Sequence, residues 1–253
     1  MPSELSFCYS ELTPEVQKMV KLSEVINNTF QSSILNKNAQ QLKLCAHHPL
    51  FNPNYMGKEK SHIELAMQKF DNIALKLLLE KNAQVYNYKS DGTKDISIMY
   101  PLFRDDNSQA IELLTQHNYR FDIPVLLKPS IYFPLHIVTI LHYYEAVETI
   151  TEHSPHTVWL KSSNNELPIQ SLLTSSSDIE LSNHSNEIVR SKIIAVAHCL
   201  LAKMHLTKTN ADTFFKCMVK IQKSISANAN FSSELKESLT NLIKQFYNQR
   251  IQN

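Results

Sequence analysis

The chain has 253 residues, 43% of them hydrophobic, and 25 Lys/Arg against 24 Asp/Glu give a formal net charge of +1. That is enough chain for one sizeable domain, two small ones or a repeat array, and so small a charge argues against general attraction to nucleic acid or anionic membranes. Only Gly57 and Gly92 are glycines, where average usage of about 7% would give many more, which excludes P-loops, GxGxxG turns, GxSxG elbows and kinase-type glycine loops.

The first stretch, MPSELSFCYSELTPE, is acidic and lacks the basic region and apolar core of a secretory signal. TPEVQKMVKLSEVIN (13–27) predicts an amphipathic helix. Thr13 suits the N-cap, Pro14 the first turn, and Val16, Met19, Val20 and Ile26 line one side. Next come three segments that fall in register at a spacing of 36 residues: 61–85, 97–121 and 133–155. Each carries a short apolar helix and a break, at Phe70-Asp71, Asp106-Asn107 or His142-Tyr143. Each then carries a second helix with one apolar pattern: Ala74, Leu75, Leu78; Ala110, Ile111, Leu114; Ala146, Val147, Ile150. That i, i+1, i+4 spacing marks one helix face. Left-handed caps are expected where the second helices end, at Asn82, Asn118 and Ser154.

Weaker copies flank these three, one over 28–49 and one opening at LPIQSLL (167–173). In the last, a serine-rich stretch (175–187) reads as a flexible surface loop before a second helix over 188–204. After Met204 the pattern changes to two longer helices, 210–225 and 232–249, the second with a stripe of Leu235, Leu239, Leu242, Phe246 and Tyr247. From 203 to 253, eight Lys/Arg stand against three Asp/Glu, which reads as a solvated basic face. No apolar run approaches the ~20 residues needed to cross a bilayer; IIAVA (193–197) and CLLA (199–202) are among the longest.

Pro134-Leu135-His136, the degraded Leu167-Pro168-Ile169-Gln170, and ALKLLLEKNAQV (74–85) with Asn82-Ala83 in the place of Gly-Ala resemble the ankyrin repeat family. The resemblance covers roughly residues 28–206. It implies an all-α, ankyrin-like solenoid of about five helix–turn–helix repeats with flanking capping helices. The units begin near 28, 61, 97, 133 and 167, between a capping helix in 1–27 and a helical pair in 207–253. Pro134 suits the first position of a helix because its missing N–H is not needed there. Leu135 faces the core, and His136 is expected to bridge backbone groups of adjacent loops. Phe133 stands where the family has threonine, so the family's hydroxyl–histidine bond cannot form in that unit.

Residues that suggest chemistry do not assemble into a site. HHPLFNPN (47–54) resembles the start of Fic-type AMP-transferase motifs, but the acidic residue, the Gly-Asn-Gly cradle and the arginine are absent. Cys45, His47 and His48, or His153 with His156, lack the three or four convergent ligands of a zinc site. His198 and Cys199 are adjacent in a helix and therefore point apart. Cys8, Cys45, Cys199 and Cys217 lie far apart with no CxxC, which predicts a reduced, cytoplasmic compartment.

No catalytic residue, cofactor or metal is expected, then, and the resemblance implies a protein-binding scaffold. In the family, partners lie on the concave face and loop tips. Carried over by position, these are Gln68, Lys69, Arg104, Asp105, Ile140 and Leu141 at the ends of first helices. The loop tips are Tyr86, Tyr88, Lys89, Lys94, Asp95, Lys128, Tyr132, Trp159 and Lys161. Ile140 and Leu141 are either exposed for a partner, or covered through helix rotation or by the C-terminal helices. The expected partner is a protein, and the chain is expected to be a monomer that binds no nucleic acid. An enzyme or enzyme subunit with its site in 174–253 is the alternative. The Asn-, Lys- and Ser-rich chain with decayed repeats also resembles ankyrin-type effectors of intracellular bacteria such as Legionella. Such effectors reach the host cytosol without an N-terminal signal and act on host proteins.

Overall fold

The structure, a computed structural model, describes residues 12–85, 87–88, 94–95, 100–127, 130–174, 187–204, 211–229 and 231–252. Twelve α-helices and two short antiparallel hairpins occur among them. The chain divides into two compact units, Met1–Val85 and Tyr86–Asn253.

The first unit holds α1 (Pro14–Leu35), α2 (Ala39–His47), α3 (His62–Gln68) and α4 (Asn72–Glu80). Helix α1 packs on α3 and α2 on α4, while α1–α2 and α3–α4 are the hairpin pairs. The capping helix expected over 13–27 and the first helix of the unit at 28 are one unbroken element, because no proline or glycine follows Pro14 before its end at Asn36. Thr13 caps it, accepting from the Val16 N–H. Ile26 is buried, but Val16 and Met19 remain 40% and 52% exposed, so the expected apolar side is covered only toward the end of that stretch. The loop after α2 closes over α1: Ser23 donates to the Leu50 carbonyl at 2.9 Å, and Asn27 Oδ1 accepts from the Asn52 N–H at 3.0 Å. Gly57 belongs to this closure, since a Cβ there would lie 2.3 Å from the Gln31 side chain.

The second unit holds α5 (Tyr100–Arg104), α6 (Ser108–Gln116), α7 (Pro134–Ile140), α8 (Tyr144–His153), α9 (Pro168–Thr174), α10 (Glu187–Lys203), α11 (Ala211–Ala227) and α12 (Ser233–Gln252). First helices pack in one row, α5 on α7, α7 on α9 and α9 on α11. Second helices form the other, α6 on α8, α8 on α10 and α10 on α12. The C-terminal helices thus extend both rows as a further pair, α11 and α12. The hairpins precede α5 and α7: β1 (Asn87–Tyr88) pairs with β2 (Lys94–Asp95), and β3 (Val125–Leu127) with β4 (Ser130–Tyr132). The next pair's loop joins the latter through Ser163, whose hydroxyl accepts from the Ile131 N–H and whose N–H donates to the Ile131 carbonyl.

The sequence pattern explains the core. All nine residues of the repeated stripe, Ala74 to Ile150, are at most 1% exposed. No pair covers its own apolar face, so the stability of each depends on its neighbours.

The turns are made without glycine. Lys37, Phe70, Asp106 and His142 adopt φ of 52°, 51°, 52° and 61°, at spacings of 33, 36 and 36 residues. After each, the next N–H reaches back to a carbonyl five residues earlier: Asn38 to Ser33, Asp71 to Ala66, Asn107 to Leu102, Tyr143 to Val138. That bond is the Schellman closure of the first helix. The following residue then caps the second helix, with Asn38, Asp71 and Asn107 accepting from the N–H three residues on at 3.0–3.1 Å. Asn82 and Asn118 take the expected left-handed conformation at φ 56° and 54°. Ser154 does not: its φ is −133°. Pro155 follows it, and a residue before proline is pushed to extended conformations, so the chain continues into a 3-10 turn, Pro155–Trp159.

Candidate interaction surface

The exposed ends of the first helices are set by the turns just described. In the first unit, Gln68 ends α3 and accepts from Lys60 Nζ at 2.6 Å, and Lys69 is exposed beside it. In the second, Arg104 and Asp105 are exposed and form a two-point ion pair with each other, Nε to Oδ1 at 2.6 Å and Nη2 to Oδ2. The guanidinium holds the Asp105 carboxyl below the usual carboxylate range. The pair spends its charges locally, with the two side chains 54% and 30% exposed.

Ile140 and Leu141 occupy the positions equivalent to Arg104 and Asp105, one pair later. The rest of α7, Pro134 to Thr139, is buried, whereas Ile140 and Leu141 are half-buried. Tyr132 is half-buried in β4, its ring centroid 6.3 Å from that of His136. Trp159, expected at a loop tip, is half-buried in the 3-10 turn with its ring 6.5 Å from Phe214 of α11. The indole is thus partly used in packing. Lys161 is exposed. Tyr88 and Lys94 are cross-strand partners, as are Asn87 and Asp95. Tyr86, Lys89 and Lys128 lie outside the described residues.

His136 is fully buried and bonds through Nε2 to the Glu166 carbonyl at 3.0 Å, which makes Nε2 the protonated nitrogen. The bond joins α7 to the loop before α9. Burial lowers its pKa to about 4, so the ring is neutral near pH 7. In the first unit, Ser61 and Glu64 form a reciprocal capping box at the start of α3, Glu64 standing in the register position of His136. A second buried histidine, His62, places Nε2 3.1 Å from Asn27 Oδ1 and stacks on Phe51 at 5.5 Å. Burial lowers its pKa to about 4 as well.

The residues considered for chemistry face different neighbours. His198 is exposed and meets the ring of Phe246 edge-on at 5.3 Å, while Cys199 is buried with Sγ 3.6 Å from the Thr151 hydroxyl. Burial raises the thiol pKa of Cys45 and Cys199 and pushes that of Cys217 up to about 12. Thiols so held are protonated and weak nucleophiles. His156 lies 3.8 Å from Asp122, and His153 faces the Phe121 ring. Among the described residues no group of three or more His, Cys, Asp or Glu converges on a metal position. Nor is any described helix long and apolar enough to cross a membrane.

Sequence reasoning missed the lysines and apolar side chains on the exposed face of α11. The signal was present as Phe215-Lys216 and Val219-Lys220, a repeat at i, i+4, but it reads equally as a solvated basic face.

No family model matches the sequence, and no curated protein matches it. Among solved structures, the chain is similar to the crystal structure of EF0377, an ankyrin repeat protein, with a TM-score of 0.55 at 8% identity. The match covers 87% of this chain and 98% of that one. The chain therefore has an all-α, ankyrin-like fold.

Proposed function

We propose that the chain is a non-catalytic scaffold that binds a partner protein on the first-helix face of residues 86–253. The observation that carries this reading is the end of α7. Six successive residues there are buried, yet Ile140 and Leu141 stay half-buried beside the exposed Arg104–Asp105 pair. Apolar side chains flanked by a fixed, partly satisfied ion pair make a surface suited to an apolar anchor with a polar rim. Tyr132 and Lys161 extend the same face, and Gln68 and Lys69 offer equivalent positions on the first unit. Among the described residues of 174–253, burial keeps the Cys199 and Cys217 thiols protonated, which disfavours them as nucleophiles for a catalytic alternative there. We extend the reading to an exported effector acting on a host protein, supported by the Asn-, Lys- and Ser-rich composition and the decayed repeats.

The test is a pull-down from eukaryotic lysate read by mass spectrometry. Wild type is compared with a variant altered at Arg104, Asp105, Ile140 and Leu141, both shown folded by circular dichroism. The expected result is a partner lost only by the variant. A partner retained by both would remove this surface as the binding site.

A further inference from the structure

A groove of about 620 Å³ opens between the loop after the 3-10 turn, helix α9 and helix α11. It continues the first-helix face onto the last pair, since α11 lies in that row against α9. The local sequence explains its character. Helix α11 buries Phe214, Met218, Ile221 and Ile225, spaced at i, i+4, i+7 and i+11. The adjoining positions therefore turn outward: Phe215 is half-buried and Val219 is 53% exposed. Together with Leu167 they give the groove its apolar lining. Lys161, Lys216 and Lys220 are exposed and also line it, and among the described residues no carboxylate does. None of the three lysines has an ion-pair partner among the described residues. Glu166, the acid nearest to Leu167 in sequence, turns its carboxylate to the hydroxyls of Ser171 and Thr174.

We propose that this groove binds an acidic segment of a partner protein, seating one aliphatic or aromatic side chain against Phe215 and Val219, with the buried Leu167 beneath them. The carboxylates of the segment meet Lys161, Lys216 and Lys220. The inference rests on reading the first-helix face as the interaction surface, and it names the chemistry of the partner at one end of that face. Three unpaired cations around an apolar lining attract negative charge but reject a purely hydrophilic polyanion, which leaves the apolar surface uncovered. A single-stranded nucleic acid can stack a base on Phe215 as well as meet the lysines, but a net charge of +1 provides no long-range field to draw one in.

The experiment selects a random dodecapeptide library displayed on phage against the full chain, with counter-selection on Lys161→Glu/Lys216→Glu/Lys220→Glu. All three positions are exposed, so the variant is expected to fold, and circular dichroism checks this. Enriched peptides should carry clustered Asp/Glu around one large apolar residue. A synthetic copy should bind wild type at least tenfold more tightly than the triple variant, more tightly than its serine-for-anchor control, and more weakly as salt rises. Val219→Asp, with the lysines intact, should also lose at least tenfold. Several outcomes would overturn the proposal: neutral or basic winners, no enrichment, equal binding to the triple variant, or tighter binding of a single-stranded oligonucleotide than of the peptide. Concentration-dependent self-association abolished by the same variant would instead assign the groove to a second copy of this chain. If the lysate partner is lost by the Arg104/Ile140 variant but kept by the triple-lysine variant, the scaffold reading stands and the groove proposal alone fails.

Discussion

The Tyr143 hydroxyl donates a 2.8 Å hydrogen bond to the backbone carbonyl of Arg104, 39 residues earlier, on the neighbouring helix pair. Tyr143 stands where Asn38, Asp71 and Asn107 cap their second helices, and it makes no side-chain cap of its own. Burial raises its pKa, so the hydroxyl remains a donor at neutral pH. At this turn a bond between pairs replaces a bond within one. Tyr143→Phe should cost about 0.5–1 kcal/mol, the usual net value of one hydrogen bond. Asn107→Ala should cost about 1 kcal/mol through its lost cap. Urea unfolding of the two variants measures both, and a Tyr143→Phe midpoint equal to wild type would show that the bond is not maintained in solution.

The left-handed turns predict gains. Lys37 holds φ at 52° with an exposed side chain, a conformation that costs a residue with a Cβ roughly 1 kcal/mol. Lys37→Gly should stabilise the chain by about 0.5–1 kcal/mol, and Asp106→Gly by less, because aspartate tolerates that region better. Ser154→Gly, at φ −133°, should instead lose stability by freeing the unfolded chain. Thermal midpoints give the ordering directly, and equal shifts in the three variants would contradict it.

His62 and His136 predict the direction of the pH dependence. Their folded pKa values, about 4, lie below the ordinary 6.5, so the unfolded chain binds protons first as pH falls. Their stabilising contribution is complete above about pH 6.5 and is lost as pH drops toward 4. By pH 5 each should cost on the order of 1–2 kcal/mol. Denaturation at pH 7.5 and pH 5 should show this loss, and His62→Gln/His136→Gln should be less stable at pH 7.5 but much less sensitive to pH. An unchanged slope in the double variant would assign the effect to other groups.

Cys217 is 3% exposed and its thiol is held protonated by burial. Iodoacetamide at pH 8 should alkylate it at least a hundredfold more slowly in the native chain than in urea. Peptide mapping by mass spectrometry follows the site. Rapid native labelling would mean that reagent reaches the thiol through the groove that Cys217 lines, or by local opening of α11.

The helix pairs were legible because their signal is periodic. Ala74, Leu75 and Leu78 recur in register 36 and 72 residues later, and burying one face of each second helix requires that spacing. The turns were legible as breaks but not as conformations. Phe70 and His142 carry no mark of a left-handed residue, because the closure of the preceding helix imposes it. Ser154 misled because Asn82 and Asn118 set the pattern, while Pro155 overrode it locally. Trp159 was expected at an accessible tip, and what half-covers it includes Phe214, 55 positions away and beyond any local pattern. The groove escaped notice for the same reason, since Lys161 and Lys216 come together only when α11 packs on α9. Their shared surface is a property of stacking.

Among the described residues, helix α11 packs chiefly on α9 and α12, and α12 on α10 and α11, so the described contacts of this pair come mainly from the α9–α10 side. In a stacked array, such a pair opens at a lower free energy than those held on both sides. Amide hydrogens of α11 should therefore exchange before those of α8, which is held between α6 and α10. A segment seated across α9 and α11 would add contacts to that pair and slow its exchange. Occupancy of the groove would thus be written into the fraying of the final pair, visible by deuterium uptake without any label on the partner.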